Sequence, residues 1–186
     1  MARKSKIIKL TPAVSERDHI QGPVTAPVTL AEYGDYQCPY CGEAYPIIKE
    51  IQRRLGNQLR FVFRNFPLTR IHPHAQHAAE AAEAAAVQDK FWDTHDYLFE
   101  HQQSLDDSHL AQHAALLGLD VSRFEREMNE HIYAARVRED FLSGVRSGAN
   151  GTPTFFINGV RYDDSWDLDT LLNAIKLAGA GKLGRQ

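Results

Sequence analysis

Residues 27–41 read Pro27-Val28-Thr29-Leu30-Ala31-Glu32-Tyr33-Gly34-Asp35-Tyr36-Gln37-Cys38-Pro39-Tyr40-Cys41. The first seven are rich in β-formers and predict a buried strand interrupted by a single carboxyl, Glu32. Gly34 to Gln37 reads as a turn that delivers the chain into Cys38. From Pro39 to Leu55 the spacing predicts a helix. Pro39 is tolerated in its first turn, Ile47, Ile48, Ile51 and Leu55 form an apolar stripe, and Gly56 is a natural stop. Pro46 lies inside that helix and is expected to kink it. A strand, a sharp turn and a dithiol opening a helix define the start of a small α/β sheet.

Working outward, Leu59-Arg60-Phe61-Val62-Phe63-Arg64 alternates like a second strand and ends at Asn65-Phe66-Pro67. The next eighty residues change character. Ala75, Ala78, Ala79, Ala82, Ala85 and Ala86 keep helical spacing, and Phe91, Trp92, His95, Leu98 and Phe99 form a second stripe. A third helix, capped by Ser108 or a neighbour, carries Leu110, Ala114 and Leu117 and stops at Gly118. Asp120 or Ser122 caps another through Phe124 and Met128, and Val137, Phe141 and Val145 continue the pattern. Strand character returns after Gly151: Thr152-Pro153-Thr154-Phe155-Phe156-Ile157 and Val160-Arg161-Tyr162 flank Asn158-Gly159, a strong hairpin signal. A last amphipathic helix runs from Asp167 to Ala178, and the tail to Gln186 is expected to fray. The expected organisation is an irregular or extended lead-in over 1–26, an α/β unit built from 27–69 and 148–180, and a helical insertion over 70–147.

The chain has 186 residues, enough for one core, and 43% of them are hydrophobic. A net charge of −3 gives no electrostatic reason to expect nucleic acid or an anionic membrane as partner. Met1 to Leu10 begins like the basic part of a signal peptide, but no apolar run of signal length follows. Nor is there a stretch of about 18 apolar residues able to span a bilayer. The expected location is cytoplasmic.

Two cysteines are the whole supply, which argues against a secreted disulfide scaffold. In disulfide exchange the thiolate is the nucleophile, and Cys38, just before a helix, meets unpaired N–H groups that favour negative charge. Cys41 comes round to the same side and can close a disulfide. Cys38 is therefore expected to be the exposed attacking group and Cys41 the sheltered resolving one. The competing reading of the pair is half of a zinc site, for which no second Cys-x-x-Cys or Cys-His pair exists. Glu32, if buried, would have a raised pKa and could exchange a proton with Cys41; the alternative is a solvent-facing carboxyl on an edge strand. Thr152-Pro153 opens a strand where proline cannot supply a ladder N–H, so Pro153 is a candidate cis residue and the Thr152 backbone is free to pair with an extended substrate. Tyr36, Pro39, Tyr40, Phe66 and Pro67 read either as an apolar apron around Cys38 or as ordinary packing. His74, His77 and Glu80 share a helix face and suit either a divalent cation or plain surface packing. His95 and His113, lying within apolar stripes, read as satisfied core groups.

Taken together, Glu32, Cys38-Pro39-Tyr40-Cys41, Pro46 and Gly151-Thr152-Pro153-Thr154 resemble the thioredoxin fold. The stretch Ala26 to Cys41, with Phe63-Arg64-Asn65-Phe66-Pro67-Leu68, His72-Pro73-His74-Ala75 and Phe91-Trp92-Asp93, is similar to its DsbA-like branch, which inserts a helical domain before the cis-proline. The resemblance covers residues 18 to 178. It implies a thioredoxin fold with an inserted α-helical domain and a protein-disulfide oxidoreductase. Cys38 and Cys41, with Glu32 as the buried acid, would carry the chemistry; Thr152, Pro153, Pro39 and Tyr40 would hold protein or peptide thiols and disulfides. No cofactor or metal is expected, and the redox recycling partner and oligomeric state stay open. The Pro-Tyr dipeptide also occurs in glutaredoxins, which are far shorter. DsbA-like oxidants are exported, so in a reducing cytosol the expectation is a resting dithiol acting as a reductase, isomerase or redox-responsive protein. The alternative functions are a chaperone-like, peptide-binding module that works without turnover and a zinc-binding regulatory module.

Overall fold

A computed structural model of the protein describes residues 7–183. Five strands form one sheet in the order β1-β3-β2-β4-β5. These are β1 (His19–Gln21), β2 (Val28–Gly34), β3 (Leu59–Asn65), β4 (Thr154–Ile157) and β5 (Val160–Tyr162). Only β2 and β3 run parallel, joined by α1 (Pro39–Leu55); the other neighbours are antiparallel. Five helices lie between β3 and β4: α2 (Ala75–Ala86), α3 (Phe91–Glu100), α4 (Asp107–Leu116), α5 (Val121–Asn129) and α6 (Ala134–Arg146). Helix α7 (Leu168–Leu183) follows the hairpin. The fold is a thioredoxin-like α/β fold with helices between its two sheet halves.

Alternation in β2 sorts the core. Leu30 shares one face of the sheet with Phe61, Phe63, Phe155 and Ile157, packed with Ile48 and Ile51 of α1 and Leu171 and Ile175 of α7. Ala31, Tyr33, Val62 and Phe156 turn to the other face, against Leu10, Phe66 and Phe141 of α6. Ala78, Ala81, Ala82, Ala84 and Ala85 of α2 belong to the first cluster, as do Phe91, Leu98, Leu110 and Phe124, so the helices after β3 share a core with the sheet. Small side chains on α2 allow that close approach. The β4–β5 turn has Asn158 and Gly159 at φ of 50° and 79°, as Asn-Gly favours.

Some expectations are refined and others corrected. The extended part of the lead-in takes a definite place: β1 pairs with β3, and Lys9 bridges Val160 at the far edge. Short polar segments carry no period of their own, so only the exposed edges of the finished sheet select them. The last helix extends to Leu183, not Ala178, leaving 184–186, like 1–6, outside the described residues. The caps resolve to one residue each among those expected: Asp106, a neighbour of Ser108, caps α4 by accepting from the His109 N–H, and Asp120 caps α5. Val145 lies 51% exposed, off the buried face set by Val137. Among the described residues no helix is long and apolar enough to cross a membrane.

The lead-in is tied down through Arg64. Its guanidinium donates to both Asp18 oxygens at 2.7 and 3.0 Å, to the Pro12 and Ala13 carbonyls, and to the Tyr33 hydroxyl. Arg64 and Asp18 side chains are each 3% exposed, which is tolerable because the guanidinium is matched by oxygens all round.

Candidate active site

Cys38 is the N-cap of α1, with extended backbone and Pro39 behind it. Across the fold the chain from Gly151 arrives so that the Cys38 thiol meets the Thr152 carbonyl at 3.5 Å, and the Thr152–Pro153 peptide is cis. Residues 114 positions apart are thus brought together by β2 and β4 pairing side by side. Both cysteines are free thiols, hydrogen-bonded to one another.

Their environments push them apart. The hydrogen bond from Cys41, acting against desolvation, lowers the Cys38 pKa to about 5, helped by the Thr152 side chain, which can donate to the thiolate, and by the Cys41 and Tyr40 backbone N–H groups. The Thr152 hydroxyl is buried without a partner beside the neutral thiol. Once the proton leaves, the sulfur can no longer donate to the carbonyl and that hydroxyl becomes its available donor. Cys41 is driven well above 9.0, first by burial, then by its bond to Cys38 and the charge of Glu32. Glu32 is buried, facing α1 on the Leu30 side of β2, with Phe63 and Phe155 as its cross-strand neighbours. Burial, then the Cys38 charge, raises its pKa to about 8.

One sequence expectation fails here. Cys38 is 3% exposed against 1% for Cys41, so it is not an open nucleophile. Its sulfur joins the core cluster of Tyr36, Cys41 and Ala44 and meets the Thr152 carbonyl, contacts no local pattern encodes. The apron is also smaller than its five candidates. Tyr36, Phe66 and Pro67 are buried, and only Pro39 and the 60%-exposed Tyr40 stand beside the sulfur's helix tip. Tyr36 instead bonds through its hydroxyl to Nδ1 of the buried His95 at 3.1 Å. His113 reaches the Ser104 carbonyl at 2.7 Å. His77 pairs with Asp107 and Glu80 with His131 and Gln76, while the His74 backbone N–H donates to Gln37.

Four residues given no functional role from the sequence shape the loop before Cys38. The Asp35 carboxylate, fully buried, accepts from the Gln37 and Leu68 N–H groups and sits 2.8 Å from His72 Nδ1. Its bond to Gln37 is an Asx turn, legible from Asp at that place in a turn; its bond to Leu68 is not. Gln37 holds the start of α2, and Gln102 donates to the Tyr36 and Cys38 carbonyls. Neither carries a local sequence signal.

A strand–dithiol–helix unit facing a proline loop, with helices inserted between, defines a protein of the thioredoxin-fold dithiol class. The family model described as Thioredoxin matches residues 14–177, and the chain belongs to that family. Its structural neighbours are DsbA-like thiol–disulfide oxidoreductases. Oxidised BdbD from Bacillus subtilis superposes with TM-score 0.79 at 25% identity, covering 88% of this chain and 94% of that one. Wolbachia pipientis alpha-DsbA1 shares the fold at TM-score 0.81 and 21% identity, covering 92% and 96%. In sequence, the chain is 45% identical over 172 residues to the Na(+)/H(+) antiporter NhaA 1 of Salinispora arenicola, covering 92% of this chain but 26% of that protein. The NhaA antiporter of Herminiimonas arsenicoxydans is 41% identical over 170 residues, with 91% and 27% covered. The chain spans about a quarter of the length of these curated relatives.

Proposed function

We propose that the chain exchanges disulfides with protein or peptide substrates through a mixed disulfide on Cys38. The observation that carries this reading is the Cys38 sulfur at the tip of α1, 3.5 Å from the Thr152 carbonyl, with its pKa held near 5. The Cys38 thiolate attacks one sulfur of a substrate disulfide; a Cys38–substrate S–S bond forms and the other substrate sulfur leaves as thiolate. In the fraction of molecules with Glu32 ionised, Cys41 gives its proton to that carboxylate and attacks the Cys38 sulfur, so the substrate leaves reduced and Cys38–Cys41 closes. Two electrons pass to the substrate, and the reverse sequence oxidises a dithiol with Glu32 returning the proton. Thr152 and Pro153 would hold the extended substrate backbone, and Pro39 and Tyr40 its side chains. Residues 70–147 would act as an insertion that frames the dithiol.

Direction follows the compartment. In the cytoplasm, where we place the chain, the dithiol is the resting form and reduction or isomerisation the net reaction. Thiolate stabilisation works the other way: lowering Cys38 to about 5 favours the reduced form at pH 7 by about 3 kcal/mol, or about 60 mV for a two-electron couple. The disulfide form is therefore a better oxidant than an unperturbed pair. Insulin reduction driven by dithiothreitol tests the reading, with wild type accelerating precipitation and Cys38→Ala not. Equal rates for the two would leave only a binding module. The antiporter names of the relatives favour one partner class, so we further propose a Na(+)/H(+) antiporter polypeptide as a target. Mixed disulfides trapped on Cys41→Ser should contain it; their absence from such adducts, with other proteins trapped, would defeat that assignment.

A further inference from the structure

Beside the dithiol, one side chain from the helical segment reaches the Cys38 loop from a different element. Gln102 lies in the turn after α3, and its Nε2 donates to the Tyr36 carbonyl at 2.8 Å and to the Cys38 carbonyl at 2.9 Å. Both amide protons are spent on the loop that presents the sulfur. The turn carrying it is itself held. His101 Nδ1 meets the Tyr97 carbonyl at 2.8 Å and its ring stacks on Tyr97, Ser104 is tied to His113, and Leu105 is buried. On its other side the carboxamide rests on α1 at Gly42, where an added Cβ would stand 2.1 Å from Gln102 Oε1. Gly42 has no Cβ, and the amide occupies the space.

We infer that Gln102 is a positioning residue through which the helices between β3 and β4 set the reactivity of Cys38. The two carbonyls it binds carry partial negative charge in the loop that presents the sulfur, and the amide N–H dipoles offset that charge. They also fix the N-cap backbone, so that the Tyr40 and Cys41 N–H groups stay aimed at the thiolate. Without the amide, the Tyr36 carbonyl loses this donor and the Cys38 carbonyl keeps only the Gly42 N–H at 3.1 Å, so the cap is looser and the thiolate is less favoured. The inference rests on the proposed disulfide exchange, but its readout is the ionisation of one sulfur.

The test compares wild type, Q102A, G42A and the double variant, each reduced and checked for native circular dichroism. Thiolate absorbance against pH gives the Cys38 pKa, and equilibration with glutathione gives the potential. Q102A should raise the Cys38 pKa by about half a unit or more, the size expected for losing a dipole beside a buried charge, and lower the potential in step. G42A, which displaces the same carboxamide from α1, should give a shift of the same sign, and the double variant no more than the larger single one. Q102E, with no N–H to donate and its own charge, should shift the pKa further. Folded Q102A and G42A proteins that keep the wild-type pKa and potential, or shifts that add in the double variant, would overturn the inference. Insulin turnover is read separately. An inactive wild type with a Gln102-dependent pKa defeats the exchange reading, and an active enzyme with an unmoved pKa defeats this one.

Discussion

Replacing Glu32 with Gln should stabilise the reduced protein, by an amount that grows with pH. A carboxyl whose folded pKa is raised keeps its proton in the folded state over a range where the unfolded chain has released it. Below the ordinary value of 4.5 both states are protonated and the burial costs nothing. Above it stability falls, and the loss is complete once pH passes the folded value of about 8. At pH 7 about 2.5 units of that window have been crossed, at about 1.4 kcal/mol each, a cost of about 3 kcal/mol. Glutamine keeps the shape and does not titrate. Denaturant unfolding of fully reduced wild type and E32Q, measured across the interval from mildly acid to pH 8, should give a difference that climbs with pH by that amount. Part of the rise comes from the Cys38 charge, so the climb should shrink in a Cys38→Ala background. A difference that stays flat across the interval would refute the reasoning, because Glu32 would then titrate like an exposed carboxylate. Stability gained should coincide with activity lost. Without the acceptor for the Cys41 proton, release of a mixed disulfide should slow by about ten-fold or more in stopped-flow.

Alkylation of reduced protein by iodoacetamide should follow a single ionisation with a midpoint near the Cys38 value of about 5, because the thiolate alone reacts. This pKa is depressed, so its contribution to the stability of the reduced form is complete above the ordinary value of 9.0, shrinks as pH falls from there, and is gone below about 5; a midpoint near 9 would defeat the assignment. Arg64→Ala should cost about 3–5 kcal/mol in urea unfolding by stranding Asp18 in the interior, with early hydrogen exchange over residues 10 to 21. Unchanged stability there would mean the lead-in is held by other contacts.

How much was legible depended on the range of the interaction that encodes it. Helix α1 could be bounded at both ends from its sequence, Pro39 to Leu55, because a proline start, an apolar stripe and a glycine stop act within a few residues. The Asn158-Gly159 hairpin was equally local. The dithiol was visible as spacing, and Glu32 as an incongruous carboxyl in an apolar strand. What only the tertiary structure decided comes from surfaces that exist after collapse. Strand β1 and the Lys9 bridge form because sheet edges are available to pair. Cys38 is buried because a carbonyl over a hundred residues later closes on it. Gln102 and His72 reach the loop from segments whose own sequence demands nothing of them. Local pattern fixed which elements form, since backbone sterics and hydrophobic period act over one or two turns. The reactivity of the sulfur waited on long-range neighbours, since a pKa is set by whatever charge and dipoles the fold brings within a few ångströms.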